Sequence, residues 1–151
     1  DCVPFKIGKA HKIRSCKSAK LAILGFGTTA LAALEAADSV NPEAIDVYDA
    51  RFAKPVDGEL IEQLLKNNIP IITVEDHSII GGFGSAVIEE ANRRNLDATL
   101  ITTLGLPDHW ISHGSRKEQL AEAGIDVAGI SAAALRIFST NKTDSPIVVT
   151  K

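Results

Sequence analysis

The amino-acid sequence predicts an α/β fold with three layers, α/β/α, built around a mostly parallel sheet. Three observations carry that prediction. Short apolar runs alternate with helix-periodic segments from Lys20 to Phe138, and repeated strand–helix units call for a sheet covered by helices on both faces. The apolar runs end on glycine or polar residues, as at Leu24-Gly25 and Val74-Glu75. Helix stop and start signals fall at fitting distances, with Asp57 and Ser115 opening helices and Asn41-Pro42 and Gly124 closing them. Right-handed crossovers are expected between the parallel strands.

The elements follow in order. Residues 1–19 form a basic linker or edge segment with Lys6, Lys9, His11, Lys12, Arg14 and Lys17. Phe5-Lys6-Ile7 and Lys12-Ile13-Arg14 alternate in polarity, which suits a short, half-exposed edge strand protected by its lysines. The same charges also fit a phosphate-binding arm. Residues 20–138 form the main domain. Leu21–Leu24 is a buried strand ending at Gly25. Thr28–Ala37, with Leu31, Leu34 and its alanines, is a helix with a small-residue face. Ala44–Tyr48 is the second strand. Asp57 caps a helix in which Leu60, Ile61, Leu64 and Leu65 recur at helical spacing. Ile69–Val74 is the third strand. It runs into an acidic turn, Glu75-Asp76-His77, and a glycine pivot, Gly81-Gly82-Phe83-Gly84, before a helix over Ser85–Arg94. Ala98–Thr103 is the fourth strand. Ser115-Arg116-Lys117-Glu118 is a capping box that starts a helix ending at Gly124. A last helix spans Val127–Phe138. Residues 139–151 form a tail in which Ile147-Val148-Val149 has strand-forming composition.

Composition narrows the function classes. A chain of 151 residues with 45% apolar and 23% charged residues fits one globular domain with one core. A net charge of −3 argues against a dedicated nucleic-acid binder. No apolar run approaches the roughly 20 residues of a membrane helix, and no apolar segment near Asp1 has the form of a secretory signal. Cys2 and Cys16 are available to pair, but two cysteines in a core-rich chain fit a reducing compartment better than a disulfide scaffold. The chain begins at Asp1 and has no methionine, so it is expected to be processed or cut from something longer.

Several motifs carry candidate chemistry. Gly25-Phe26-Gly27-Thr28-Thr29-Ala30 reads as G-x-G-x-x-A after a strand, with Asp46 and Asp49 about 20 residues on. In a dinucleotide-binding module the amides would hold a pyrophosphate and an aspartate would hold the ribose. The other reading is structural: the glycines make a tight turn and the alanine lets helix and strand pack closely. Gly81-Gly82-Phe83-Gly84-Ser85 presents amides suited to an anion but lacks the G-K-[ST] ending of a P-loop. Ser85, His77 and Asp76 supply triad residue types without a G-x-S-x-G elbow. His77, His109 and His113 lack zinc-site spacing, so no metal site is expected. They read as polar loop histidines, or as interface or anion contacts beside the helix start at Ser115. The loop after a strand's carboxyl end is where α/β folds place ligands and interfaces. The candidate interface or anion-binding edge is therefore Glu75, His77, Gly81, Gly82, Gly84, Ser85, His113 and Ser115.

The wording of these blocks is specific. Ile7-Gly8-Lys9, Leu24-Gly25-Phe26-Gly27-Thr28 and Asp49-Ala50-Arg51-Phe52-Ala53-Lys54-Pro55 come first. Val74-Glu75-Asp76-His77 with Gly81-Gly82-x-Gly84-Ser85-Ala86-Val87 follows, then Leu104-Gly105-Leu106-Pro107-Asp108, His113-Gly114-Ser115 and Ala123-Gly124-Ile125-Asp126. In this order, over about Phe5 to Phe138, the chain resembles the third, carboxyl-terminal domain of the 1-deoxy-D-xylulose-5-phosphate synthases within the transketolase superfamily. Transketolase itself and the β subunit of 2-oxo acid dehydrogenases are the related alternatives. The resemblance implies a mixed sheet of about five strands with one strand antiparallel. It implies a whole enzyme that decarboxylates pyruvate and joins the two-carbon unit to glyceraldehyde 3-phosphate, for isoprenoid and thiamine synthesis. Thiamine diphosphate and Mg²⁺ would be held by the first two domains, since no G-D-G…N motif and no thiamine-activating glutamate region occurs here. No catalytic residue is then expected in this chain. It would pack on its own amino-terminal and middle domains in a homodimer, in the bacterial cytoplasm or a plastid. Two departures stand out: Ala10 where a glycine is usual, and a tail longer than expected.

Overall fold

The structure is a computed structural model and describes residues 4–143. Five strands form one sheet in the order β1-β3-β2-β4-β5. They are β1 (His11–Arg14), β2 (Leu21–Phe26), β3 (Ile45–Asp49), β4 (Ile71–Ser78) and β5 (Ile101–Leu106). The last four run parallel, and β1 joins the β3 edge antiparallel. The mixed, mostly parallel sheet is the predicted architecture. Helices α1 (Thr29–Val40) and α5 (Val127–Thr143) cover one face, and α2 (Gly58–Lys66) and α3 (Phe83–Arg93) cover the other. The short α4 (Arg116–Glu122) follows β5.

The two-sided burial is visible in β2. Leu21 and Ile23 pack with Ala33, Ala36, Ala37, Ile130 and Ala134. Ala22 and Leu24, pointing the other way, pack with Ile61, Leu64, Val87 and Ala91. A strand buried on both faces needs a continuous apolar run, and Leu21-Ala22-Ile23-Leu24 supplies one. The alanine face of α1 brings that helix close to α5, where the Ser39 and Ser131 hydroxyls meet at 3.0 Å. With both faces covered by its own helices, the chain closes its own core. Among the described residues no helix is long and apolar enough to cross a membrane.

Several element boundaries differ from the sequence reading. The strand predicted from Ala98 starts at Ile101, because Asp97 accepts from the Thr99 amide at 2.9 Å and holds Ala98–Leu100 in a 3₁₀ turn. Strand β4 runs on through Glu75, Asp76 and His77 to Ser78, so these residues are strand and not turn. Of the two alternating segments near the amino end, only His11–Arg14 pairs with the sheet. Helix α5 continues past Phe138 to Thr143, since no glycine or proline interrupts 139–143. Cys2 and the apolar run Ile147–Val149 lie outside the described residues.

The basic segment spends much of its charge inside the domain. Lys9 pairs with Asp57 at 3.1 Å and with Glu59, and Arg14 pairs with Asp38. Lys12 meets Asp46 at 2.7 Å and lies over the Tyr48 ring. Burial alone would raise the Asp46 carboxyl, but Lys12 and the Cys16 amide outweigh it and hold the group below its ordinary value. Asp57 does double duty: it caps α2 through the Leu60 amide and accepts from the Ala10 amide at 3.1 Å.

Helices α2 and α3 are joined by a surface ion network. Glu90 is bound first by Arg93 and then by Arg94, which hold its carboxyl at about 2. Arg94 also reaches Glu62 on α2. A carboxyl depressed in the folded state stabilises above its ordinary value of 4.5 and loses that contribution as pH falls toward 2. Because such pairs are screened at the surface, the contribution is about 1 kcal/mol. Urea unfolding of wild type and Glu90→Gln should therefore differ at pH 6 and draw together as pH falls to about 2. An equal gap at both pH values would refute this assignment.

Candidate functional site

The sheet order puts a topological switch point between β2 and β4. The chain leaves β2 for β3 on one side and later returns to β4 on the other, and crevices form at the carboxyl ends of such strands. A cleft of about 1030 Å³ opens there, between the Gly27-Thr28 turn, the Ala53–Val56 loop and the Gly81–Ser85 turn. Its apolar wall includes Phe26 and Phe83, stacked with ring centroids 5.2 Å apart.

Glu75 organises the edge from within. It is 1% exposed. Its two carboxylate oxygens accept from the Phe83 amide at 2.6 Å and the Gly84 amide at 2.8 Å, the first free amides of α3. The glycine-rich turn is thus an anion cradle whose anion is a side chain of the same chain. Gly82 lets it fit, since a Cβ there would lie 2.2 Å from Glu75 Oε2 and from the Ser78 carbonyl. Gly81 has φ +72°, a conformation natural to glycine. Gly84 lies against Thr73 and Thr103. The Ser85 hydroxyl closes the turn, accepting from the Gly81 amide at 3.0 Å and donating to the Ile79 carbonyl at 3.2 Å. These bonds make Ser85 a clamp on the turn. The His77 side chain is exposed, with Nδ1 4.0 Å from Glu75 Oε2.

The block around Ser115 meets this edge through a residue the sequence reading passed over. Arg116, the first residue of α4, donates to Asp76 at 2.6 Å and to the Thr28 hydroxyl at 3.1 Å. It therefore ties the loop after β5 to the end of β4 and to the α1 turn. No local signal marks it, because its partners lie 40 and 88 residues away. The predicted capping box is present at Ser115 and Glu118. His113 is exposed on the loop just before it. Thr29 was also unassigned; its hydroxyl reaches the Phe26 and Val74 carbonyls at 3.0 and 2.7 Å and stitches β2 to β4.

The G-x-G-x-x-A segment has a packing role. A Cβ on Gly25 would lie 2.4 Å from Ala30 Cα, so α1 sits directly on the β2 backbone. Gly27 turns the chain with φ +68°. Asp46 is held by Lys12, Cys16 and Tyr48, and Asp49 accepts from the Arg51 amide at 3.1 Å. The described residues also offer no fit to Mg²⁺ and a diphosphate. The α3 amides are taken by Glu75, and among the described residues no group of three or more His, Cys, Asp or Glu could hold a metal ion.

Comparison with known proteins agrees with this geometry. The family described as "Transketolase, C-terminal domain" matches residues 8–130. A 1-deoxy-D-xylulose-5-phosphate synthase from Geobacillus sp. (strain WCH70) is 46% identical over 73% of this chain and 18% of its own length. The synthase of Bordetella avium (strain 197N) is 39% identical over 93% of this chain and 21% of its own. That of Shewanella amazonensis (strain ATCC BAA-1098 / SB2B) is 45% identical over 86% and 20%. Among solved structures, one titled "Split gene transketolase, inactive beta4 tetramer" superposes with a TM-score of 0.77 at 26% identity, covering 91% of this chain and 44% of that one. The chain spans about one fifth of the length of these curated synthases. By fold and by sequence, the chain belongs to the transketolase carboxyl-terminal domain family.

Proposed function

We propose that this chain is the carboxyl-terminal assembly domain of a 1-deoxy-D-xylulose-5-phosphate synthase, the enzyme that joins pyruvate and glyceraldehyde 3-phosphate. The observation that carries the proposal is the similarity to such synthases over as much as 93% of the chain. Geometry supports the non-catalytic part of the reading. Three of the candidate groups at the carboxyl edge are engaged in holding it together: Glu75 caps α3, Ser85 closes a turn, and Asp76 holds Arg116, while His77 stays exposed. Such an edge is built to keep a shape. Thiamine diphosphate with Mg²⁺ then belongs to the preceding domains, against which this domain packs in a dimeric enzyme. The group would supply the carbon–carbon chemistry there, and this chain's residues take no part in its steps.

The test is an assay of the full-length polypeptide. Pyruvate with glyceraldehyde 3-phosphate should release carbon dioxide and give a 1-deoxy sugar phosphate. The 151-residue chain alone should give no turnover and bind no thiamine diphosphate. Turnover of a ketose phosphate donor without pyruvate would replace this reading with transketolase, which the solved structure at 26% identity keeps in view.

A further inference from the structure

The carboxyl edge carries one large side chain that the domain itself does not use. Trp110 is 98% exposed on the loop between β5 and α4, and Ile80, on the neighbouring loop after β4, is 64% exposed. Both loops are held firmly. The Ile79 amide donates to the Leu106 carbonyl at 2.9 Å, which locks the base of one loop to the other. Gly105 sits so close that a Cβ there would lie 3.0 Å from the His77 carbonyl. Beyond Trp110 the loop is tied again. The Ser112 carbonyl accepts from Gln119 at 3.2 Å, the Ser112 amide donates to Glu122 at 3.3 Å, and the capping box fixes Ser115. The indole is thus displayed by a loop fastened on both sides of it. The backbone on either side of it has less ordering left to lose on binding, and tryptophan is among the side chains that most often anchor an interface.

We infer that Trp110, with Ile80 on the neighbouring loop, is the apolar anchor by which this edge docks on the rest of the full-length enzyme. The inference rests on the reading of the chain as an assembly domain, and it names the partner of that edge. The occupant follows from length. The chain spans 18–21% of the synthases it resembles, so about four fifths of the polypeptide is available to cover the edge. A stable interface buries about 1,600 Å² in total, so the indole anchors a wider contact around it. Loop residues 107–114 carry a single carboxylate, Asp108, and two histidines, so apolar burial there meets little charge.

Hydroxyl-radical footprinting at Trp110 tests this, in the full-length enzyme and in the isolated 151-residue chain. Oxidation of Trp110 should be severalfold slower in the full-length enzyme. Equal rates would overturn the inference, and so would protection in the isolated chain that rises with its concentration, which would make a second copy the occupant. A second readout uses Trp110→Ser. In the full-length enzyme it should speed proteolytic release of the domain by about tenfold, the loss expected for an interface anchor, with Trp110→Phe restoring retention. In the isolated chain the same change should leave the melting temperature unaltered, because the side chain touches no core. Synthase activity with an unprotected Trp110 would sink the docking alone. Protection of Trp110 in an enzyme without synthase activity would sink the function and leave the docking standing.

Discussion

Glu75→Ala is expected to cost the domain about 3 kcal/mol of stability, the loss of a buried acceptor that leaves amide donors unsatisfied. The Glu75 carboxylate is 1% exposed and accepts from two amides of α3, at 2.6 and 2.8 Å. Alanine would leave both amides in an apolar pocket beside Phe83 and remove the negative charge from the positive end of the helix. For a chain of this size the loss corresponds to a fall of about 6–12 °C in melting temperature. Glu75→Gln keeps the shape and one acceptor oxygen, so it should fall between wild type and alanine. Urea denaturation of the three proteins measures the order. A loss below about 1 kcal/mol for alanine, the size of an ordinary exposed cap, would mean that Glu75 does not organise this edge. The same geometry makes Gly82→Asp destabilising as well. Its side chain would collide with Glu75 and unfold the turn.

Gly25→Ala should cost a similar amount for a different reason. A Cβ at Gly25 would meet Ala30 Cα at 2.4 Å, Ala30 N at 2.6 Å and Thr29 C at 2.9 Å. All of these are backbone atoms, so no side chain can turn aside. Helix α1 would have to move off β2 and open the alanine-rich packing against α5, and overpacking of this kind costs about 3 kcal/mol. Gly27→Ala is the control. Its site has open space but φ +68°, so it should cost only about 1 kcal/mol. If the first glycine serves packing, Gly25→Ala will be the more destabilising of the two by denaturation without any ligand. Equal, small losses would return the motif to a ligand-binding reading.

Much of the fold was legible because its signals are local or periodic. Leu21–Leu24, the cap at Asp57 and the capping box at Ser115 all involve residues no more than a few positions apart, and each appears where its pattern places it. The same locality explains the misses. Asp97 and Thr99 hold a 3₁₀ turn where composition alone reads strand. Glu75, polar and next to an Asp-His pair, reads as a turn until α3 folds back over it.

The sequence by itself determined the alternating α/β plan, the helix caps and, through the wording of its motif blocks, the family. Those properties rest on short-range periodicity and on residue order. Only the tertiary structure decided what the candidate residues do. It turned Glu75 inward to cap a helix, spent Asp46 on Lys12 and Cys16, pressed α1 onto Gly25, joined Arg116 to Asp76 and Thr28, and left Trp110 in solvent. The physical reason is that burial and hydrogen-bond partnership are set by which distant segments meet. A carboxylate or an indole carries no mark in the sequence of whether the folded chain will cover it.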